Sequence, residues 1–118
     1  MVKAKSKSYI EITTVSKCAV DCTFFPQQAY RSSYHGCEHL SLENFIKALS
    51  RVPKDFDIHF SAFAEPFLNP HCMDMIEYAC SEGFKVFLFS TFVGLRINEV
   101  ERLKKCNLTL ILYLPDNL

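Results

Sequence analysis

The chain has 118 residues, the length of one domain or part of one, and about two-thirds of its unfolded surface could be buried on folding. Hydrophobic residues make up 49% and charged residues 22%, proportions of a globular protein, and Lys+Arg balances Asp+Glu at 13 each. That balance argues against a nucleic-acid or membrane-surface partner. Eleven Phe and no Trp predict a large aromatic core. The basic residues 1–8 lack the apolar run of a signal peptide. The longest apolar runs, residues 86–89 and 110–114, are too short to cross a bilayer. A cytoplasmic protein is therefore expected, with its six cysteines as thiols or metal ligands rather than a disulfide framework.

In chain order, residues 9–15 carry β-branched and aromatic side chains and read as a first strand. A loop with two cysteines follows. Residues 27–40 are polar and irregular and read as a long loop. Ser41 is a good N-cap with Glu43 in the first turn. Leu42, Phe45, Ile46 and Leu49 recur at helical spacing, and Pro53 bounds that helix. Residues 56–61 alternate strictly, Phe56, Ile58 and Phe60 on one side and Asp57, His59 and Ser61 on the other, which predicts a second strand. Asn69 reads as the N-cap of a helix with Pro70 at its first position. Cys72, Ile76, Ala79 and Cys80 form its apolar stripe, and Gly83 is its stop.

Residues 84–89 are a nearly continuous apolar run, as in a parallel strand covered on both faces. A third helix is expected over residues 98–106, with Glu101 and Lys105 as an i,i+4 pair and Lys104 and Lys105 at its negative end. Residues 108–114 read as a fourth strand, stopped by Pro115. The order β-α-β-α-β-α-β predicts an α/β fold with parallel strands and right-handed crossovers. No internal repeat or domain boundary stands out.

Two stretches carry the chemical signal. The first is Cys18-Ala19-Val20-Asp21-Cys22-Thr23-Phe24-Phe25-Pro26, at the end of the first strand. Closely spaced cysteines on a loop suit an iron–sulfur site, and they also suit small buried residues. The second is Phe60-Ser61-Ala62-Phe63-Ala64-Glu65-Pro66-Phe67-Leu68-Asn69-Pro70, after the second strand. The first stretch resembles the cluster loop of the radical S-adenosylmethionine (radical SAM) enzymes, C-x3-C-x2-C with an aromatic residue before the last cysteine. Cys18 and Cys22 match the first two cysteines and Phe24 the aromatic; Phe25 stands at the third cysteine position. The second stretch resembles the family's GGEP segment. Glu65, Pro66, Leu68, Asn69 and Pro70 match it, while Phe63 and Ala64 occupy the glycine positions. Ser90 and Thr91, just past the third strand, stand where the family has a hydroxyl-bearing residue near the cofactor; a simple polar strand end is the alternative for each. Residues 112–117 look like the end of the family's fourth strand, with Asp116 a candidate for the ribose. The resemblance covers residues 9–117 and is closest to the subgroup that modifies peptides or proteins and carries a cysteine-rich C-terminal domain.

The resemblance implies a [4Fe–4S] cluster on Cys18 and Cys22, with one iron open to S-adenosylmethionine. It implies reductive cleavage of that cofactor to methionine and a 5′-deoxyadenosyl radical, which abstracts hydrogen from a substrate, a peptide or protein in the nearest subgroup. Phe24 would pack by the adenine, and Ala64, Glu65 and Pro66 would lie along the methionine end. The implied fold is half of a TIM-like partial (β/α)6 barrel, with residues 1–118 as an incomplete, N-terminal half of the core domain. Barrels of this type run to about 200 residues or more. The first and fourth strands would be open edges, so the chain is expected to need a C-terminal half or to self-associate.

Phe25 has no lone pair to give iron, and two thiolates are not the full ligand set. A single base separates Phe from Cys codons. Cys37 could supply a third ligand. The other reading is a non-catalytic, cluster-less α/β relative that binds a nucleotide or a partner protein. The run His35-Gly36-Cys37-Glu38-His39 is poorly spaced for one tetrahedral zinc and reads as a polar loop. Cys72 and Cys80 are expected in the core and Cys106 at a helix end. His59 and Ser61 belong either to an ordinary half-polar strand or to a barrel interior.

Overall fold

Alternating strands and helices build one parallel sheet in the computed structural model, which describes residues 7–15, 39–61 and 65–113. Its strands are β1 (Tyr9–Ile12), β2 (Asp57–Phe60), β3 (Lys85–Ser90) and β4 (Leu108–Leu112), in the spatial order β1-β2-β3-β4. The helices are α1 (Leu42–Leu49), α2 (Cys72–Ser81) and α3 (Ile97–Lys104), with a 3-10 turn at Pro66–Leu68. All three strand pairings are parallel. The expected α/β class and the parallel alternation are therefore present.

The register explains the core. Ile10 pairs with Ile58 and Ile12 with Phe60; Ile58 pairs in turn with Val86 and Phe60 with Leu88. Partners in a parallel ladder share a face, so these side chains form one apolar surface. Phe45 and Leu49 of α1 and Cys72, Met73, Ile76 and Ala79 of α2 close over it, and Leu103 of α3 packs at its margin. Phe45, Ile58, Phe60, Met75, Ile76 and Leu88 are fully buried. Each such side chain contributes about 1.5–3 kcal/mol of transfer free energy.

The opposite face is different. Tyr9, His59, Phe87, Phe89 and Tyr113 run across it as a chain of rings. Tyr9 stacks on His59 at 4.2 Å, His59 meets Phe87 at 4.9 Å and Phe89 at 5.5 Å, and Phe89 lies 6.1 Å from Tyr113. The apolar run of β3 was expected to be covered on both faces. Val86 and Leu88 are buried, but Phe87 and Phe89 are only half-buried. The physical reason is that the core helices all meet the Ile58–Leu88 face. Strand β4 is also thinly covered, with Leu110 40% and Leu112 49% exposed.

Local rules account for most helix ends. Ser41 caps α1 by accepting from Asn44 N at 3.1 Å. Helix α2 ends in a Schellman motif: Gly83 has φ +87°, its N–H donates to Cys80 O, and Phe84 N donates to Ala79 O. The N-terminus of α2 departs from expectation. His71, not Asn69, is the N-cap, and it makes no side-chain cap bond. Asn69 is withdrawn because its amide serves another role, described below.

Helix α3 begins at Ile97, where the buried Glu99 carboxylate accepts from Arg96 N at 3.0 Å and from the Arg96 guanidinium at 3.1 Å. Those bonds hold Glu99 below the usual carboxylate range. Glu101 pairs with Lys104 at 3.5 Å, rather than with Lys105 as the i,i+4 spacing predicts, because Lys105 already lies at the helix C-cap. Arg102 ties α3 to α2: its guanidinium bonds Asp74 at 2.7 Å and both oxygens of Glu77. The Arg102 hydrogen bond holds Asp74 below its ordinary range.

Gly94 has φ +89°, and a Cβ there would meet Phe67 O at 2.9 Å. Gly83 has the same handedness but open space around it. Both glycines to alanine lose about 1 kcal/mol from the backbone alone. Gly94→Ala should lose more, since a backbone carbonyl must move. Urea unfolding of the two variants checks this; an equal loss would contradict the close approach.

Candidate functional site

Ligand sites in open parallel sheets lie at the carboxyl ends of the strands. Here the ends of β1 and β3 are joined by one segment, residues 65–69. Strand β2 ends at Phe60, and the chain re-enters the described structure at Glu65. Proline at position 66 fixes φ and lacks an N–H, which favours the first turn of a short helix. The 3-10 turn then aims the Glu65 side chain back at its own backbone, and Oε2 accepts from Phe67 N at 2.6 Å.

The other oxygen of Glu65 reaches β3. Its Oε1 accepts from Ser90 Oγ at 2.6 Å, from Thr91 N at 2.6 Å and from Thr91 Oγ1 at 3.2 Å. Glu65 is 3% exposed and Ser90 1%. Hydrogen bonds to an ionised group are the stronger kind, and a buried carboxylate needs them. Ser90 Oγ also accepts from Phe92 N at 2.9 Å, which shapes the turn where Phe92 takes φ +66°.

Asn69 reaches the other way, to β1. Its Nδ2 donates to Thr14 O at 2.9 Å and to Leu40 O at 2.8 Å, while its Oδ1 accepts from His71 N. Thr14 Oγ1 returns a bond to Pro66 O at 2.8 Å. Thr14 and Asn69 are both 2% exposed. The backbone crossing is reinforced where Leu40 N donates to Thr14 O and Val15 bridges His39. The ends of β1 and β3 are thus fixed against one turn between them.

Of the residues singled out from sequence, Glu65, Pro66 and Ser90 come together here. Cys18, Cys22, Phe24, Phe25, Cys37, Ala64 and Asp116 lie outside the described residues. The Ser90 hydroxyl is spent within the protein, on Glu65 and Phe92 N. Thr91, weighed with Ser90 as a hydroxyl-bearing residue, also comes here, whereas Thr14 carried no sequence signal, because a threonine after a strand has no pattern until its distant partner is known. Asn69 was visible only as a cap, since local spacing cannot show a bond to Thr14.

Among the described residues no cluster of three His, Cys, Asp or Glu could hold a metal. Burial pushes the Cys72 thiol well up, and the nearby Glu65 carboxylate adds to this, so it is an inert core thiol. No family model, curated protein or solved structure matches the chain.

Glu65→Gln would turn an amide N–H₂ toward Phe67 N–H or toward the Ser90–Thr91 donors. One buried donor then loses its acceptor, at about 1–3 kcal/mol. Urea denaturation should show that loss; unchanged stability would mean Glu65 does not join the strand ends.

Proposed function

We propose that this chain is a relative of the N-terminal half of a radical SAM core, and that its function is to bind S-adenosylmethionine at the carboxyl edge of the sheet. One observation carries the reading. The segment that resembles the family's cofactor loop, Glu65-Pro66-Phe67-Leu68-Asn69-Pro70, is pinned to the ends of β1 and β3 by buried hydrogen bonds. That is the place and the rigidity a cofactor-positioning loop requires. The sequential order β1-β2-β3-β4, with the core on one face and rings on the other, supports a partial (β/α)6 barrel whose interior is the Tyr9–His59–Phe87 face. Ser61 supports it as well: its buried Oγ has no hydrogen-bond partner among the described residues and lies at the end of β2, on the side of His59. The thin cover of Leu110 and Leu112 supports a pairing of β4 with further strands or with a second copy.

The cluster is a separate matter. A [4Fe–4S] group, when present in this family, supplies the electron that cleaves the cofactor. Its donor set does not fit here: Cys18 and Cys22 offer two thiolates, and Phe25 offers no donor atom. The activity proposed for the chain as it stands is therefore binding without cleavage. Glu65 holds the loop, Pro66 sets its direction, and the adjoining backbone meets the ligand. This reading rests on the resemblance for the identity of the ligand, and on the geometry for its location.

Anaerobic reconstitution with iron and sulfide, on this chain and on Phe25→Cys, tests it. The chain itself should bind S-adenosylmethionine in equilibrium dialysis while taking up little iron. Phe25→Cys should take up about four irons, as one cluster requires. Four irons on the unaltered chain would overturn the cluster-less reading. Failure of both proteins to bind S-adenosylmethionine would overturn the family.

A further inference from the structure

The outer edge of β4 is open. Strand β4 pairs with β3 on one side, and among the described residues no strand lies on the other. Tyr113 N donates to Ser90 O, so the Tyr113 backbone faces β3. Backbone groups alternate along a strand. Ile111 and Thr109 therefore face β3 as well, whereas Leu108, Leu110 and Leu112 turn their N–H and C=O groups to the open edge.

The same three leucines share a face. They pair with Val86, Leu88 and Ser90, which are buried, so their side chains belong to the core side of the sheet. Leu110 and Leu112 are nevertheless exposed, because α3 is drawn toward α2, where Arg102 bonds Asp74 and Glu77. Val100 precedes Arg102 by two residues, about 200° round the helix, so it faces away from α2, and it too is exposed. The core thus ends beside β4 in an uncovered apolar margin. Residues 107–113 carry no charge to guard it. Edges of this kind pair with other chains unless a charge, a proline or a bulge blocks them. The opposite edge, β1, carries the exposed Glu11.

We infer that β4 is a homodimerisation edge, and that its occupant is β4 of a second copy, antiparallel, with the two-fold axis at Leu110. The run Leu108-Thr109-Leu110-Ile111-Leu112 is self-complementary about its centre. A two-fold interface needs that property, since the same patch meets itself. The alignment sets Leu110 opposite Leu110 of the partner subunit, and Leu108 opposite Leu112 of the partner subunit. Opposite residues whose backbone groups face each other exchange both hydrogen bonds, so every outward group of the three leucines finds a partner. The leucines of both copies then lie on the core side and cover one another, while Thr109 meets Ile111 of the partner subunit on the other side. A shift of one residue would set outward groups against inward ones, and a shift of two removes one of the leucine pairs. The contact closes on itself, because each copy has one such edge and uses it. It selects a second copy among the partners open to β4, and it needs neither the cofactor nor the cluster.

Amide hydrogen exchange of the unaltered chain, at low and at high concentration, tests the pairing. At high concentration the amides of Leu108, Leu110 and Leu112 should slow about tenfold or more, while those of Thr109, Ile111 and Tyr113, which face β3, stay slow at both. Sedimentation should give a mass that rises from one chain to two and stops there. Leu110→Lys puts like charges opposite each other at the axis and should weaken association about tenfold or more. Tyr9→Lys, at the β1 edge, should leave association unchanged. Leucine amides that exchange equally at both concentrations would overturn the pairing, as would a single-chain mass throughout, the result expected if β4 instead takes a further strand. A mass that grows past two chains, or loss of association in Tyr9→Lys, would overturn it in favour of a β4-to-β1 contact. The exchange pattern uses the unaltered protein, so it decides the matter even where Leu110→Lys fails to fold.

Discussion

A buried carboxylate with neutral donors on every side is the constraint around which this structure is arranged. Glu65 has two oxygens and accepts four hydrogen bonds, from Phe67 N, Ser90 Oγ, Thr91 N and Thr91 Oγ1. Desolvating a carboxylate is costly, and only a nearly complete shell of donors offsets it. The donors come from the turn after β2 and from the end of β3, so the shell exists only when those parts meet. Asn69 extends the same turn to the end of β1 through Thr14 O. Hydrophobic burial supplies the bulk of the driving force through Ile58, Phe60, Val86 and Leu88. The polar knot specifies where the strand ends sit, which a non-directional force does not do.

The sheet also divides the protein into two chemical faces. One is sealed by α1 and α2 and holds the core. The other presents Tyr9, His59, Phe87, Phe89 and Tyr113 as a continuous run of rings. Stacked and edge-on rings stabilise each other modestly, by about 0.5–1.5 kcal/mol a pair beyond their buried area. That leaves a surface with planar, weakly polar character beside the knot.

Much of the fold was legible in the sequence, and the reasons are local. Ser41 and Gly83 mark helix ends because capping and left-handed backbone are decided within a few residues. The alternation of Phe56, Ile58 and Phe60 marks β2 because period two has one meaning over six residues. Long-range bonds were not legible. Asn69 reads as a cap from its neighbours, and only the distant Thr14 turns it into a tie. The continuous apolar run of β3 cannot say which of its faces a helix covers. Glu65 and Pro66 were legible as a motif and Ser90 and Thr91 as hydroxyl candidates, whereas Thr14 was not, since it acts only through a contact more than fifty residues away.

The most direct test of the account is a titration of the isotope-labelled chain with S-adenosylmethionine, followed through backbone amide resonances. The account predicts that Thr91, Phe92 and Phe67, whose amides surround Glu65 and Ser90, shift first and furthest. Residues at the amino ends of the strands, such as Lys85 and Leu108, should stay in place. Shifts confined to those amino ends, or to the exposed β4 edge, would contradict a ligand site at the Glu65 turn.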